Sequence, residues 1–267
     1  MIEVLQLEFM QNAIAAGILV SIACGIIGTF VVVNRIVFIS GGIAHSAYGG
    51  IGLGYFLGFN PILGAMIFAV FSGLGMGLVE KYTKERTDTI IGTMWAIGMG
   101  IGIILIDLTK GYKANLMSYL FGSILAVPRS DLLIMLILDV IIIIMIWLFY
   151  KELLAISFDP IFATTRNIPV NGLYLMLISA IALTIVMVMQ VVGLIMVIAL
   201  LTIPPAVANQ FVGEIKQMMV LSSILGVIFI LIGLGLSYTF NLTSGATIIV
   251  VSGFAYFLSL GIKSRFS

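Results

Sequence analysis

The chain has 267 residues, of which 62% are hydrophobic and 9% are charged. Soluble domains carry about 25% charged residues, so a soluble fold would have no means of hiding this much apolar surface, and the surrounding solvent must be lipid. The formal net charge of +1 gives no electrostatic basis for binding nucleic acid.

Nine apolar runs have the length of membrane-spanning helices, for which ~20 apolar residues are needed. They predict an all-α polytopic membrane helical bundle with about 8–9 transmembrane helices, forming a single domain over residues 1–267. Residues 114–127 are apolar but too short to cross, and we expect them to be re-entrant or interfacial. The nine runs cover about 11–32, 37–58, 61–79, 89–108, 131–150, 172–190, 193–211, 217–239 and 243–262.

The Lys and Arg residues between the spans predict the orientation, because short cytoplasmic loops carry an excess of positive charge. With the N-terminus outside and the spans alternating, nine of the 12 basic residues fall on the side of the C-terminus, which is therefore predicted to be cytoplasmic. These nine are Arg35, Lys81, Lys84, Arg86, Lys151, Arg166, Lys216, Lys263 and Arg265, and the other three are Lys110, Lys113 and Arg129.

The second predicted span carries the only histidine of the chain, His45. An ionisable group near mid-membrane is costly unless it faces a cavity, a partner or a transport pathway. Imidazole is also the commonest metal ligand among side chains. Gly41 and Gly49 lie one turn to either side, so the histidine shares its helix face with bare backbone. The pattern indicates a pathway residue, with Ser46 beside it.

A second ionisable group lies within the spans, because Asp139 falls in the middle of the fifth apolar run. A carboxylate at that depth is expected to be paired with a structural partner, to be protonated, or to line a pathway. The sequence leaves these three alternatives open.

Two segments on the predicted cytoplasmic side contain prolines. Asp159 and Pro160 are typical of a helix start, with the aspartate as N-cap and the proline as the first helical residue. In the seventh run, Pro204 and Pro205 are expected to break the helix where it reaches the cytoplasmic interface. A short surface helix is then expected to continue through Gly213, before the next span.

Four segments stand in order along the chain: the histidine-containing stretch of the second span, a Tyr-Leu-Phe-Gly-Ser element, a Ser-Phe-Asp-Pro segment and a proline–alanine stretch. Together they resemble the integral-membrane permeases of ATP-binding-cassette importers for zinc and manganese. The resemblance covers about residues 10–260, and the four segments are Ile43–Gly49, Tyr119–Ser123, Ser157–Ala163 and Thr202–Asn209.

The resemblance implies a cobalamin-importer-like permease fold, in a subunit that imports divalent metal ions, zinc or manganese, across the inner membrane of a prokaryote. The implied partners are a second permease copy in a homodimer, a cytoplasmic ABC ATPase dimer and an extracytoplasmic metal-binding protein. A non-catalytic subunit without a permanently bound cofactor is expected. The chain contains no G-x-x-x-x-G-K-[ST] phosphate loop, which fits ATP hydrolysis by a separate subunit.

The resemblance, together with the polar residues of the spans, also predicts roles for individual side chains. The metal pathway is predicted to include His45, Ser46 and Asp139, and Asp159 and Arg166 are predicted to form a second cytoplasmic contact. The alternative for the proline segment is a simple amphipathic turn. The main prediction for this segment is a helix that couples the chain to the ATPase, through Pro204, Pro205, Ala206, Asn209, Gln210 and Gly213.

One position departs from the family pattern, which commonly has an aspartate four residues before this histidine. Here that position is Gly41. Two His45 side chains of a dimer, without the two carboxylates, make a weak site. Waters or other side chains must supplement it, and the sequence does not choose among Ser46, Tyr48, Cys24 and Asp139.

Other function classes remain as alternatives. Gly41 favours an ABC permease of the same architecture that moves another small substrate. A stand-alone secondary transporter often shows inverted repeats with paired broken helices, whereas this chain shows one broken segment. An intramembrane enzyme is disfavoured, because His45 has no second motif such as His-Glu-x-x-His.

Overall fold

The computed structural model describes residues 6–82, 87–109 and 122–266, and within these ranges every regular element is a helix. All nine predicted spans are helical, which confirms the all-α membrane bundle. A 3₁₀ turn at Ile124–Ala126 precedes α5. The helices are α1 (Glu8–Val33), α2 (Val37–Leu57), α3 (Pro61–Tyr82), α4 (Thr87–Leu108), α5 (Arg129–Leu148), α6 (Tyr150–Phe158), α7 (Pro160–Thr165), α8 (Val170–Val192), α9 (Leu194–Ala208), α10 (Ile215–Phe240) and α11 (Ser244–Phe266).

Seven of the described helices are long and apolar enough to cross a membrane, namely α1, α3, α4, α5, α8, α10 and α11. Helix α2 has 21 residues, or about 31 Å, and its glycines lower its hydropathy. Helix α9 has 15 residues, or about 22 Å, which is shorter than a ~30 Å hydrocarbon core. Within the described ranges, the seven full spans and these two helices together make nine, which agrees with the predicted 8–9 transmembrane helices.

The chain divides into two compact units. The first comprises Met1–Val33, Met117–Ile143 and Met187–Ser267, and the second comprises Asn34–Leu116 and Ile144–Val186. The single domain predicted over residues 1–267 stays a prediction.

The first unit is centred on α1, which contacts α9 and α10. Glycines bring the three backbones together: a Cβ on Gly25 would lie only 2.7 Å from the Cα of Ser223, and one on Gly28 only 2.9 Å from the Cγ of Pro205. Small residues allow such close approach in lipid, where there is little hydrophobic force between helices. These contacts explain why α1 is an apolar helix that is mostly buried.

The second unit is centred on α2, which lies against α3 on one side and α4 on the other. A Cβ on Gly50 would lie 2.6 Å from the Cβ of Phe68 and would overlap the carbonyl of Gly64. On the other side, a Cβ on Gly52 would lie 2.7 Å from the Cα of Gly102. The glycines of the second span therefore serve the close packing of the helix that carries His45.

The expected break at Pro204 and Pro205 is wrong, because α9 runs through both prolines to Ala208. A proline fixes φ near −65°, which a helix accepts, but it removes the hydrogen bond to the carbonyl four residues earlier. The carbonyl oxygen that Pro205 leaves unpaired within the helix is that of Leu201, and it lies against Gly28 of α1. Membrane helices tolerate prolines where a neighbouring helix accommodates the freed group.

The expected surface helix through Gly213 is also wrong. Residues 209–214 form turns and bends, and α10 begins directly afterwards at Ile215. The backbone N–H of Asn209 is bonded to the carbonyl of Pro205, so the connection leaves α9 as a tight cap and not as a second helix.

The expected helix start at Asp159 is confirmed. Its Oδ1 accepts a hydrogen bond of 2.8 Å from the backbone N–H of Phe162, and Pro160 is the first residue of α7. The prediction of a re-entrant or interfacial segment at 114–127 falls for the most part on residues 110–121, which lie outside the described residues together with most of the Tyr119–Ser123 element.

Candidate functional site

His45 lies in α2 and faces two side chains of α4, Trp95 and Met99, which are one helical turn apart. The imidazole stacks on the indole of Trp95, with ring centroids 3.9 Å apart and an interplanar angle of 17°. Its Nδ1 is 3.3 Å from the Sδ of Met99. The indole Nε1 of Trp95 also donates to that sulfur, at 3.3 Å. The three side chains form one contacting cluster within the second unit.

The sequence predicted His45 but not its two neighbours. The sequence does show that Trp95 and Met99 are four residues apart, a spacing that puts both side chains on one face of an apolar helix. That spacing alone does not show which helix packs against the face. Tertiary packing of α2 on α4 decides it, at the close contacts of Gly52 and Gly102.

The cluster contains an imidazole and a thioether sulfur, but no carboxylate. Among the residues that the structure describes, no group of three or more His, Cys, Asp and Glu side chains is arranged to hold a metal ion. This agrees with Gly41 standing where the family pattern has an aspartate. A metal ion bound at this cluster would therefore need further ligands from outside it.

Ser46 is adjacent to His45 in sequence but faces elsewhere, because consecutive helical residues point about 100° apart. Its side chain is buried against Gly98, and its Oγ is 3.4 Å from the carbonyl of Met94. It borders a cavity of about 300 Å³ between α3 and α4 that is lined mainly by apolar atoms. Its predicted place in the metal pathway stays a prediction.

Asp139 lies in α5 and belongs to the first unit, whereas His45 belongs to the second. The residue is only 3% exposed, and neither carboxylate oxygen has a hydrogen-bonding partner among the described residues. An ionised carboxylate buried without a partner is strongly unfavourable. Of the three alternatives, a protonated side chain and a pathway residue account for this environment better than a structural pair.

The segment predicted to couple the chain to an ATPase is divided between interior and surface. Pro204 and Pro205 are buried in the first unit, and Ala206 is half-buried. Gln210 is also half-buried, and its Nε2 is 3.4 Å from the carbonyl of Ala206. The residues that reach the surface are Asn209 and Gly213, with Phe211 between them.

The segment predicted as a second cytoplasmic contact is much more exposed. Phe158 is 69% exposed and Ile161 is 79% exposed, so α6 and α7 present apolar side chains outward. The guanidinium of Arg166 lies 5.5 Å from the ring centroid of Phe162. A groove of about 650 Å³ runs beside α7 and is lined by residues between Pro160 and Gly172. The apolar residues on both sides of Asp159-Pro160 are the sequence feature that could have predicted this exposed apolar surface.

Comparison with known proteins identifies the family. The ABC 3 transport family matches residues 6–263, which is nearly the whole chain. The chain belongs to the ABC 3 transport family. This confirms the resemblance that the four ordered segments indicated, and the family's membrane-helical architecture is the one described above.

Relatives of this ABC 3 transport family chain match it over nearly their whole length. A protein of Synechocystis sp., described only as an uncharacterized membrane protein, is 63% identical over 98% of this chain and 94% of its own. The manganese transport system membrane protein of Listeria monocytogenes is 35% identical, over 96% and 91%. A solved structure of PsaBC from Streptococcus pneumoniae, in complex with a Fab, superposes with a TM-score of 0.87 at 32% identity, over 97% and 93%.

Proposed function

We propose that this chain is the membrane-spanning permease subunit of an ATP-binding-cassette importer for divalent metal ions, with manganese or zinc as the transported ion. The observation that carries the proposal is the match of residues 6–263 to the ABC 3 transport family, together with a Listeria relative that is named for manganese transport. The cluster of His45, Trp95 and Met99 supports it, because it places an imidazole within a membrane helix.

The proposal includes the rest of the transporter. The chain pairs with a second copy of itself, so that two His45 side chains supply one pathway, and an extracytoplasmic metal-binding protein delivers the ion. A cytoplasmic ABC ATPase dimer hydrolyses ATP, and the permease itself is non-catalytic and holds no permanent cofactor. The complex lies in the cytoplasmic membrane of a prokaryote, with the N-terminus of the permease outside and its C-terminus inside.

We further place the ATPase-binding surface on the cytoplasmic connections. Two segments qualify: the α7 segment from Asp159 to Arg166, and the turn from Asn209 to Gly213 after α9. The exposed apolar side chains of the α7 segment favour it as the larger contact, because an exposed apolar patch outside the spans marks an interaction site. Ser46 and Asp139 are retained, together with His45, as candidate pathway residues.

Co-expression with the ATPase and the binding protein tests the proposal. The chain is expected to co-purify with the ATPase and to restore growth of a manganese- and zinc-importer-deficient bacterium in metal-poor medium. His45→Ala should lower metal uptake at least about 10-fold, while co-purification stays unchanged, because the side chain meets the ion and not the ATPase. A His45→Ala protein that fails to assemble would show that the histidine has a packing role.

One observation favours a second candidate, an ABC permease of the same architecture for another small substrate. Among the described residues, no group of three or more His, Cys, Asp and Glu side chains is arranged to hold a metal ion, and Gly41 replaces the aspartate of the family pattern. Stimulation of the ATPase by the loaded binding protein that persists in the presence of a metal chelator would favour this candidate over metal import.

A further inference from the structure

The contacts around Met99 determine which side chain donates and which accepts. An indole N–H is a donor only, so in the 3.3 Å contact with Trp95 the thioether sulfur is the acceptor. A thioether has no proton to give, so the sulfur must also be the acceptor in its 3.3 Å contact with Nδ1 of His45. Both contacts therefore place an N–H against the same sulfur.

This geometry selects one tautomer of the histidine. If Nδ1 were unprotonated, its lone pair would face a sulfur lone pair at 3.3 Å, and the contact would be repulsive. A neutral imidazole carries one ring proton, and the hydrogen bond made by one nitrogen decides the role of the other. With the proton on Nδ1, the lone pair remains on Nε2.

Trp95 and Met99 restrict different motions of the ring. The parallel stack on Trp95, with centroids 3.9 Å apart, holds the imidazole plane but would allow the ring to turn within that plane. The Nδ1–Sδ contact with Met99 removes this remaining freedom. The indole N–H in turn holds the sulfur in place.

We propose that Met99, supported by Trp95, is the positioning residue of His45, and that Nε2 is the atom presented to the transported metal ion. The role of the ion rests on the proposed function, whereas the tautomer rests on the contacts alone. Metal-binding histidines usually donate their second N–H to a carboxylate, a backbone carbonyl or water. The uncharged thioether is a weaker acceptor, so Nε2 stays a weaker ligand and releases the ion more readily.

Nitrogen NMR of the full-length chain in lipid nanodiscs tests the tautomer directly. Because His45 is the only histidine, a sample labelled with ¹⁵N-histidine and purified without a histidine tag gives a single imidazole spin system. The proton is expected on Nδ1, and Zn²⁺ is expected to shift the Nε2 resonance while Nδ1 stays protonated. A proton on Nε2, or a rapidly exchanging mixture of tautomers, would overturn the assignment.

Two matched substitutions separate positioning from simple packing. Met99→Leu keeps the volume and removes the acceptor, so a mixture of tautomers and about a 10-fold rise in the KM for metal uptake by the complete transporter are expected. Met99→Gln keeps an acceptor oxygen and should restore both readouts. An unchanged tautomer in Met99→Leu, or a Met99→Gln protein that behaves like Met99→Leu, would overturn the proposal.

The two proposals fail in distinguishable ways. If the assembled transporter moves no metal, but His45 keeps its proton on Nδ1 and loses this preference in Met99→Leu, the proposed function is wrong and the positioning role of Met99 stands. If metal uptake depends on His45 but the tautomer does not respond to Met99, the positioning role is wrong and the proposed function stands.

Discussion

At the scale of single residues, the proposed role of His45 depends on one ring nitrogen, Nε2. Trp95 covers a face of its ring and Met99 contacts its Nδ1, so Nε2 is the nitrogen that the proposal assigns to a metal ion. In the proposed transporter, the remaining coordination positions are filled by water, by the second His45 of a dimer or by other pathway groups. A site with few protein ligands binds weakly, which a transport pathway requires because the ion has to leave.

The two tryptophans of the chain allow metal binding to be followed without a label. Trp147 is 77% exposed on α5, so Trp147→Phe should be tolerated and leaves Trp95 as the only indole. A divalent ion on His45 puts positive charge next to the stacked indole, and such charge interacts with the ring. We expect Mn²⁺ or Zn²⁺ to change the Trp95 emission in a saturable way, measured by fluorescence titration of the purified protein.

The control for this titration is the variant that carries both Trp147→Phe and His45→Ala, in which the Trp95 emission should no longer respond to either ion. A saturable response that survives the loss of His45 would contradict the assignment, because the ion would then bind near Trp95 by other ligands.

At the scale of helices, α7 is notable because it is too short to be stable alone. Six residues make fewer than two turns, and isolated helices of this length do not persist in water. The Asp159 cap, Pro160 at the first position and the buried side chain of Ala163 hold it in place. The surface it presents outward is apolar, since Ile161 and Phe162 are both exposed.

Substitutions on the two cytoplasmic segments should show which one binds the ATPase. Ile161→Asp puts a charge on the exposed face of α7 and should reduce co-purification of the ATPase at least about 10-fold, as expected for the loss of an interface anchor. Added bulk at the other segment, in Asn209→Trp or Gly213→Trp, should uncouple ATP hydrolysis from uptake. The measurement is ATPase retention and activity in the purified complex.

The three substitutions distinguish the α7 segment from the turn after α9 as the ATPase contact. Full retention of the ATPase by Ile161→Asp, with loss of the ATPase in the Asn209 or Gly213 variants, would assign the main contact to the turn after α9. Normal assembly and coupling in all three variants would remove both segments from the interface.

At the scale of helices, local sequence signals predicted the elements, whereas contacts between helices were not predictable. Apolar length located the nine helices, and the Asp159-Pro160 pair located the start of α7, because both signals are local. The continuation of α9 through Pro204 and Pro205 was not predictable, since it depends on Gly28, which is more than 170 positions away in the chain. For the same reason the sequence predicts His45, whereas the roles of Trp95 and Met99 depend on the packing of α2 against α4.

At the scale of the whole molecule, each unit is built around one helix that glycines bring into backbone contact with two neighbours. Helix α1 has this position in the first unit, and α2 has it in the second. The outward surfaces differ from these glycine-rich contacts in carrying large apolar side chains. Examples are Ile134, Ile141 and Trp147 of α5, which are exposed. Such surfaces suit lipid or a second permease copy.

The predicted orientation can be tested on intact cells with single cysteines. The chain's one cysteine, Cys24, is buried and should give no background labelling. With the N-terminus outside, Thr243→Cys between α10 and α11 should react with a membrane-impermeant maleimide added to intact cells. Thr165→Cys at the end of α7 should react only after permeabilisation, because it lies on the cytoplasmic side.

Both positions are exposed, so accessibility on the correct side of the membrane is the only requirement for labelling. The reverse result, with Thr165→Cys labelled in intact cells and Thr243→Cys protected, would invert the orientation and would move the ATPase surface away from α7.

The glycine contacts of α2 also have a genetic consequence. Every amino-acid change that a single base substitution makes in a glycine codon adds at least a Cβ atom. At Gly50 and Gly52 that atom meets the backbone of a neighbouring helix, at Gly64 and Gly102 respectively. Random mutation should therefore inactivate the gene far more often in the codons for this one helix than in those for the outward face of α5, where the exposed side chains have no backbone from the described part of this chain against them.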